Sequence, residues 1–173
     1  VIDGGGVEKN FFIISNYLSN KYDEISVITL SNSLSYKLNK KIKIITTNSK
    51  IKNILSRRLK FIFSLFFLFK EIVKSKNSTV LCFQGIIYCT ILCKILSTKI
   101  IIRSNSSPSG WSKNLIKKFL YKKIYKMADK IIVNSYEFKK ELKKKFNLQS
   151  ICIYNPLNKK EIIKLSKNRI KFN

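Results

Sequence analysis

Apolar blocks alternate with helical patterns along nearly the whole chain. After Gly4-Gly5-Gly6, residues Val7, Phe11, Ile14 and Leu18 recur at helical spacing, which predicts a helix to about residue 20. Short β-rich runs follow at residues 25–30 (ISVITL) and 42–46 (IKIIT). Residues 54–76 read as a long helix, 79–83 as a strand and 86–96 as a helix. Residues 99–103 (KIIIR) form a continuous β-branched run, the mark of a strand covered on both faces. A Ser-, Pro- and Gly-rich loop occupies 104–111, and a helix is predicted over 112–127 with Leu115, Phe119, Ile124 and Met127 facing inward. A strand at 130–133, a helix at 136–146 and a last strand at 150–154 complete the alternation. Strands separated by helical crossovers of 10–20 residues predict an α/β fold, a Rossmann-like doubly wound parallel sheet. One domain is expected over 1–156, with 157–173 a basic tail or the start of a linker.

The helix at 54–76 is apolar over most of its circumference. Arg57, Lys60, Ser64 and Glu71 share one narrow stripe, and Leu59, Ile62, Phe63, Phe66, Phe67 and Phe69 cover much of the rest. That breadth suits either a helix packed on several sides or one touching a bilayer between basic flanks. The longest apolar run, 61–69, is interrupted by Ser64 and falls far short of the roughly 20 residues a membrane span needs.

Composition removes several chemistries. Histidine is absent, so neither a Ser-His-Asp triad, a Cys-His pair nor a His-containing zinc site can be assembled from this chain. Cys82, Cys89, Cys93 and Cys152 stand among apolar residues without a CxxC pair. They read as buried free thiols, which implies a reducing, cytoplasmic setting and no metal site. The 35 Lys+Arg against 9 Asp+Glu give a formal charge of +26. Only four are arginine (Arg57, Arg58, Arg103, Arg169), and the lysines lie on almost every predicted helix.

In doubly wound sheets ligands bind beyond the carboxyl ends of the strands. Each predicted strand here leads into small or hydrogen-bonding residues: Asp3-Gly4-Gly5-Gly6, Gln84-Gly85, Arg103-Ser104-Asn105-Ser106, Asn134-Ser135 and Asn155. The three glycines allow close backbone approach, and the helix they open offers free N–H groups to an anion. The segment GGGVEKN matches neither GxGxxG nor a P-loop. Glu8 suits the first turn of that helix by complementing its dipole. A guanidinium at a strand's carboxyl end, as at Arg103, suits phosphate or carboxylate recognition, or equally a loop-fixing hydrogen bond. Asp129 reads as a turn or helix-end residue.

Taken in order, GGGVEKNFFIISNYLSNKYDEISVITL, RSNSSPSGWS, ADKIIVNSYEFKKEL and ICIYNPLN resemble the N-terminal half of family 4 glycosyltransferases. The resemblance implies the acceptor-side Rossmann-like domain of a GT-B enzyme. Such enzymes move a hexose from a nucleotide-sugar to a lipid-linked or polysaccharide acceptor with retention, without a metal or other cofactor. By position, Gly5 and Gly6 match the glycine turn, Gln84 follows the next strand of the cleft edge, Arg103, Asn105 and Ser106 match the loop facing donor or acceptor, and Ser135 matches a serine after the sixth strand. The implied partners are a nucleotide-sugar donor, a glycan or lipid-linked acceptor and an anionic membrane surface at the inner face of the cell membrane, with no specific nucleic acid. The family's E-x7-E motif is missing, since no two Glu stand eight apart. The expectation from that departure is a fragment, inactive alone, whose donor site belongs to a C-terminal domain. The charge also keeps two other classes in view: a basic nucleic-acid-binding module, for which no RRM, KH, helix-turn-helix or zinc signature appears, and a non-catalytic peripheral membrane protein.

Overall fold

A computed structural model describes residues 5–30, 38–47, 56–75, 77–105 and 114–157, with 159, 163 and 166 of the tail. In chain order the described elements are α1 (Gly5–Leu18), β1 (Ser26–Ile28), β2 (Lys43–Ile45), α2 (Arg57–Lys74), β3 (Thr79–Cys82), α3 (Ile86–Ile95), β4 (Lys99–Ser104), α4 (Leu115–Met127), β5 (Lys130–Val133), α5 (Tyr136–Phe146) and β6 (Ile151–Cys152). Every strand pair is parallel. β1 pairs with β2, and the larger sheet runs β3-β4-β5-β6 with a helix between each pair of neighbours. This is the expected α/β, Rossmann-like architecture, and it brings the carboxyl ends of β3 to β6 to one edge.

Side-chain alternation sorts the strands' residues between two cores. Cys82, Ile100, Ile102, Ile131 and Val133 point to one face, where they meet Leu68 and Ile72 of α2, Cys93 of α3, Tyr125 of α4, and Phe138 and Leu142 of α5. Leu81, one residue out of phase with Cys82, points the other way and joins Phe83, Val27 and the α1 residues Phe11 and Phe12. Phe11 and Phe83 meet edge to face with centroids 5.3 Å apart. Helices therefore lie on both faces, as doubly wound sheets require.

Helix ends follow local rules. Asn114 caps α4, its Oδ1 accepting from the N–H groups of Ile116 and Lys117 at 2.9 and 3.2 Å. Ser135 caps α5 through Oγ, which accepts from Phe138 N at 3.1 Å. Gly85 precedes α3 with φ +66°, a left-handed conformation that glycine adopts without a Cβ penalty. A Cβ there would also come within 3.2 Å of the Phe61 ring on α2.

Two helices present faces other than those the spacing suggests. In α4 the inward residue is Tyr125, whose hydroxyl shares a 2.8 Å hydrogen bond with Ser104 Oγ. Phe119 and Met127, expected inward, are exposed. Apolar residues occur nearly all round this helix, so periodicity alone does not select the buried side. In α2 one stripe, centred on Leu68 and Ile72, enters the core, while the opposite row is open. Glu71 on α2 reaches β1 and β2, accepting from Lys43 Nζ at 2.9 Å and from Ser26 Oγ at 3.3 Å. Among the described residues no helix is long and apolar enough to cross a membrane.

Asp129 fixes the corner between α4 and β5. Its Oδ2 accepts from Ile100 N and from Lys94 Nζ, both at 2.8 Å. The backbone donor first, and then Lys94, hold this carboxyl below its ordinary 3.8. Glu71 is likewise lowered, chiefly by Lys43. A carboxyl that titrates lower when folded contributes stability above the unfolded pKa and loses it as pH falls through the folded value. Urea midpoints are therefore expected to fall on acidification below about pH 4. Asp129→Asn, which keeps an acceptor for Ile100 N but no charge, is expected to make that fall shallower.

Candidate functional site

The carboxyl edge of the larger sheet gathers the residues that follow β3, β4, β5 and β6. Several of their polar atoms are turned toward the chain itself. Asn105 Nδ2 donates to Phe83 O at 3.2 Å and to Arg103 O at 3.4 Å, stitching the end of β3 to the end of β4. Arg103 Nη2 donates to Ile153 O at 3.1 Å and to Asn155 Oδ1 at 3.0 Å. Since Arg103 is in register with Ile132 of β5, its side chain spans β5 to reach the segment leaving β6.

Arg103 is 1% exposed. The sequence leaves two roles open for it, anion recognition and a loop-fixing hydrogen bond. The structure shows the loop-fixing hydrogen bonds, made inside the molecule. Its partners lie 50 and 52 positions away, which no local pattern reveals. Among the described residues its buried Nε has no hydrogen-bond partner. Among the described residues no carboxylate lies within ion-pair distance of it. Burial lowers the guanidinium pKa from its ordinary value, yet arginine stays charged at neutral pH.

The other candidates fall as follows. Gly5 and Gly6 are the first two residues of α1, with Glu8 in the first turn as expected. Gly6 is exposed, and a Cβ built on it meets nothing within 4 Å among the described residues. Gln84 is half-buried at the turn into α3, and its carbonyl accepts from Cys82 Sγ at 3.0 Å. Ser135 follows β5 and spends one acceptor on capping α5. Ser106, Asp3 and Gly4 lie outside the described residues. Gln84, Asn105, Asn134, Ser135 and Asn155 therefore all follow strand ends of one sheet, in keeping with the strand alternation, while Arg103 lies within β4, one residue before its end.

The cysteines are free thiols. Cys93 is fully buried, and burial pushes its thiol up to about 12. The Cys82 thiol is also raised, first by its hydrogen bond with Cys89 and then by burial. Neither is poised as a nucleophile at neutral pH. Among the described residues no group of three His, Cys, Asp or Glu could hold a metal ion. A shallow groove lined by Tyr136, Lys140, Lys144, Leu148 and Ser150 runs along α5 to the start of β6. One end of it, at Tyr136, directly follows the strand-end residue Ser135, and the other reaches the segment that enters β6.

The family model described as Glycosyltransferase Family 4 matches residues 4–161. The chain belongs to glycosyltransferase family 4. The match takes in the glycine turn, the segments after β3, β4 and β5, and the Asn155-Pro156 exit. No curated protein matches the chain. For a family 4 domain the parallel sheet and its polar carboxyl edge are the expected frame, and membership assigns a glycosyltransferase-type function.

Proposed function

We propose that this family 4 domain forms the acceptor-side wall of a retaining hexosyltransferase cleft. The reading rests on one observation above the rest: the family match spans an edge at which Gln84, Asn105 and Ser135 lie beyond the ends of parallel strands, and it also takes in Gly5 and Gly6 at the start of α1. In this reading the acceptor is a lipid-linked or growing polysaccharide sugar at the inner face of the cell membrane. The co-substrate is a nucleotide-sugar held by a second Rossmann-like domain, and no metal takes part.

The chemistry asked of these residues is positioning and charge stabilisation. The first turn of α1 leaves N–H groups without helical partners, and the dipole makes that end attractive to a diphosphate. Gly6 carries no side chain there, so a phosphate oxygen can approach the backbone closely. Side-chain amides at Gln84 and Asn134 suit sugar hydroxyls, which need both donors and acceptors. Arg103 and Asn105 act one step back, holding the strand ends and the exit segment in place.

Gly6→Leu separates binding from folding. A Cβ at this exposed position meets no described atom within 4 Å and a better helix former replaces glycine, so the melting temperature is expected to stay level or rise. Binding of a soluble probe, farnesyl-diphosphate-linked N-acetylglucosamine, is expected to weaken at least about tenfold because the side chain fills the phosphate's place. Unchanged probe affinity would remove the glycine turn from the site.

A further inference from the structure

We propose that the outward faces of α2, α3 and α4 form a docking surface for an anionic lipid bilayer. On α2, Leu59, Ile62, Phe63, Phe66, Phe69 and Val73 form a continuous exposed row at helical spacing, opposite the buried Leu68 and Ile72. Ile62 is 61% exposed and Phe66 is 49% exposed. On α4, Ile116 (71%), Phe119 (55%) and Leu120 form a second outward row. Between them α3 turns Tyr88 and Ile95 to solvent. The three helices send Leu68, Cys93 and Tyr125 into one core on the same face of the sheet, so their outer rows share one side of the molecule. Isolated exposed apolar residues need no explanation, but two helical rows of them on one face mark an interaction surface.

Charge selects the occupant. Lys70 Nζ lies 4.4 Å from the centre of the Phe66 ring, and Lys123 Nζ lies 4.7 Å from that of Phe119, so ammonium groups are interleaved with the apolar rows. A second copy of this chain would bring +26 against +26. A nucleic acid would engage the lysines and leave the phenylalanines in water. A bilayer with anionic headgroups satisfies both, with phosphates at the level of the lysines and hydrocarbon just beneath. The 18 residues of α2 span about 27 Å, enough to lie flat in the interface. This inference deepens the proposed reading, which sets the reaction at a membrane, by naming the surface that meets the bilayer, and it uses none of the sugar-transfer site residues.

The test is co-sedimentation of the chain with phosphatidylcholine–phosphatidylglycerol vesicles and with phosphatidylcholine alone. The parent chain is expected to bind the mixed vesicles and to bind less at high salt. Ile62→Ser with Phe66→Ser, and Ile116→Ser with Phe119→Ser, are each expected to weaken partitioning at least about tenfold while leaving the circular dichroism melt unchanged. Gly6→Leu is expected to bind vesicles like the parent, which keeps this result separate from the sugar-transfer reading. Three outcomes overturn the proposal: no binding to mixed vesicles, serine variants that bind as the parent does, or a parent dimer that the serine variants convert to monomer.

Discussion

Arg103→Ala is expected to lower the unfolding free energy by about 2–4 kcal/mol, although the side chain stands at the edge where ligands would bind. Two charge-assisted hydrogen bonds disappear, and the Ile153 carbonyl and Asn155 side chain lose their donor. Removing a side chain that is 1% exposed also leaves a cavity. Against these losses stands a gain. The buried Nε has no partner among the described residues, and its penalty of about 1–3 kcal/mol vanishes with the side chain. The losses win because they include packing as well as polar contacts. Arg103→Lys is expected to fall between parent and alanine, since one ammonium cannot reproduce the planar fork. Urea denaturation of the three proteins checks the order. A loss under about 0.5 kcal/mol for Arg103→Ala would mean that the guanidinium is not a structural tie.

The second large effect is expected at Leu142, which is fully buried on α5. This helix carries five lysines and buries only Phe138 and Leu142, so its attachment to the sheet rests on few apolar contacts. Leu142→Ala is expected to cost about 2–5 kcal/mol, the transfer term plus the cavity left between α5 and the strands. Because Phe138 and the Ser135 cap remain, the helix itself should persist while its docking loosens. Hydrogen exchange is expected to speed up over α5 and β6 before the rest of the sheet. Uniform protection with an unchanged denaturation midpoint would contradict this account of how α5 is held.

Much of this architecture is legible in the chain because strands and helices alternate with unlike periods. The run Ile100-Ile101-Ile102 reads as a buried strand, and its neighbours at 79–83 and 130–133 pair with it in parallel. Once that order is known, Gln84, Asn105 and Ser135 necessarily arrive at one edge. Orientation is where periodicity fails. In α4, Phe119 and Tyr125 are both compatible with the core, and the choice falls to Tyr125 because its hydroxyl meets Ser104. Long-range polar ties fail in the same way. Arg103 and Asn155 are 52 residues apart, and only the closed sheet places them 3.0 Å from each other. Asp129 is the converse: a turn residue by position, it also secures β4 and α3 through Ile100 and Lys94.

The central claim is that the carboxyl edge of the sheet receives the acceptor. The most direct measurement is an amide chemical-shift titration of the 15N-labelled chain with farnesyl-diphosphate-linked N-acetylglucosamine. The account predicts shifts concentrated at Gly5, Gly6, Gln84, Gly85, Asn105 and Ser135, with α5 from Lys139 onward undisturbed. Shifts confined to the groove along α5, or to the outer rows of α2 and α4, would contradict it.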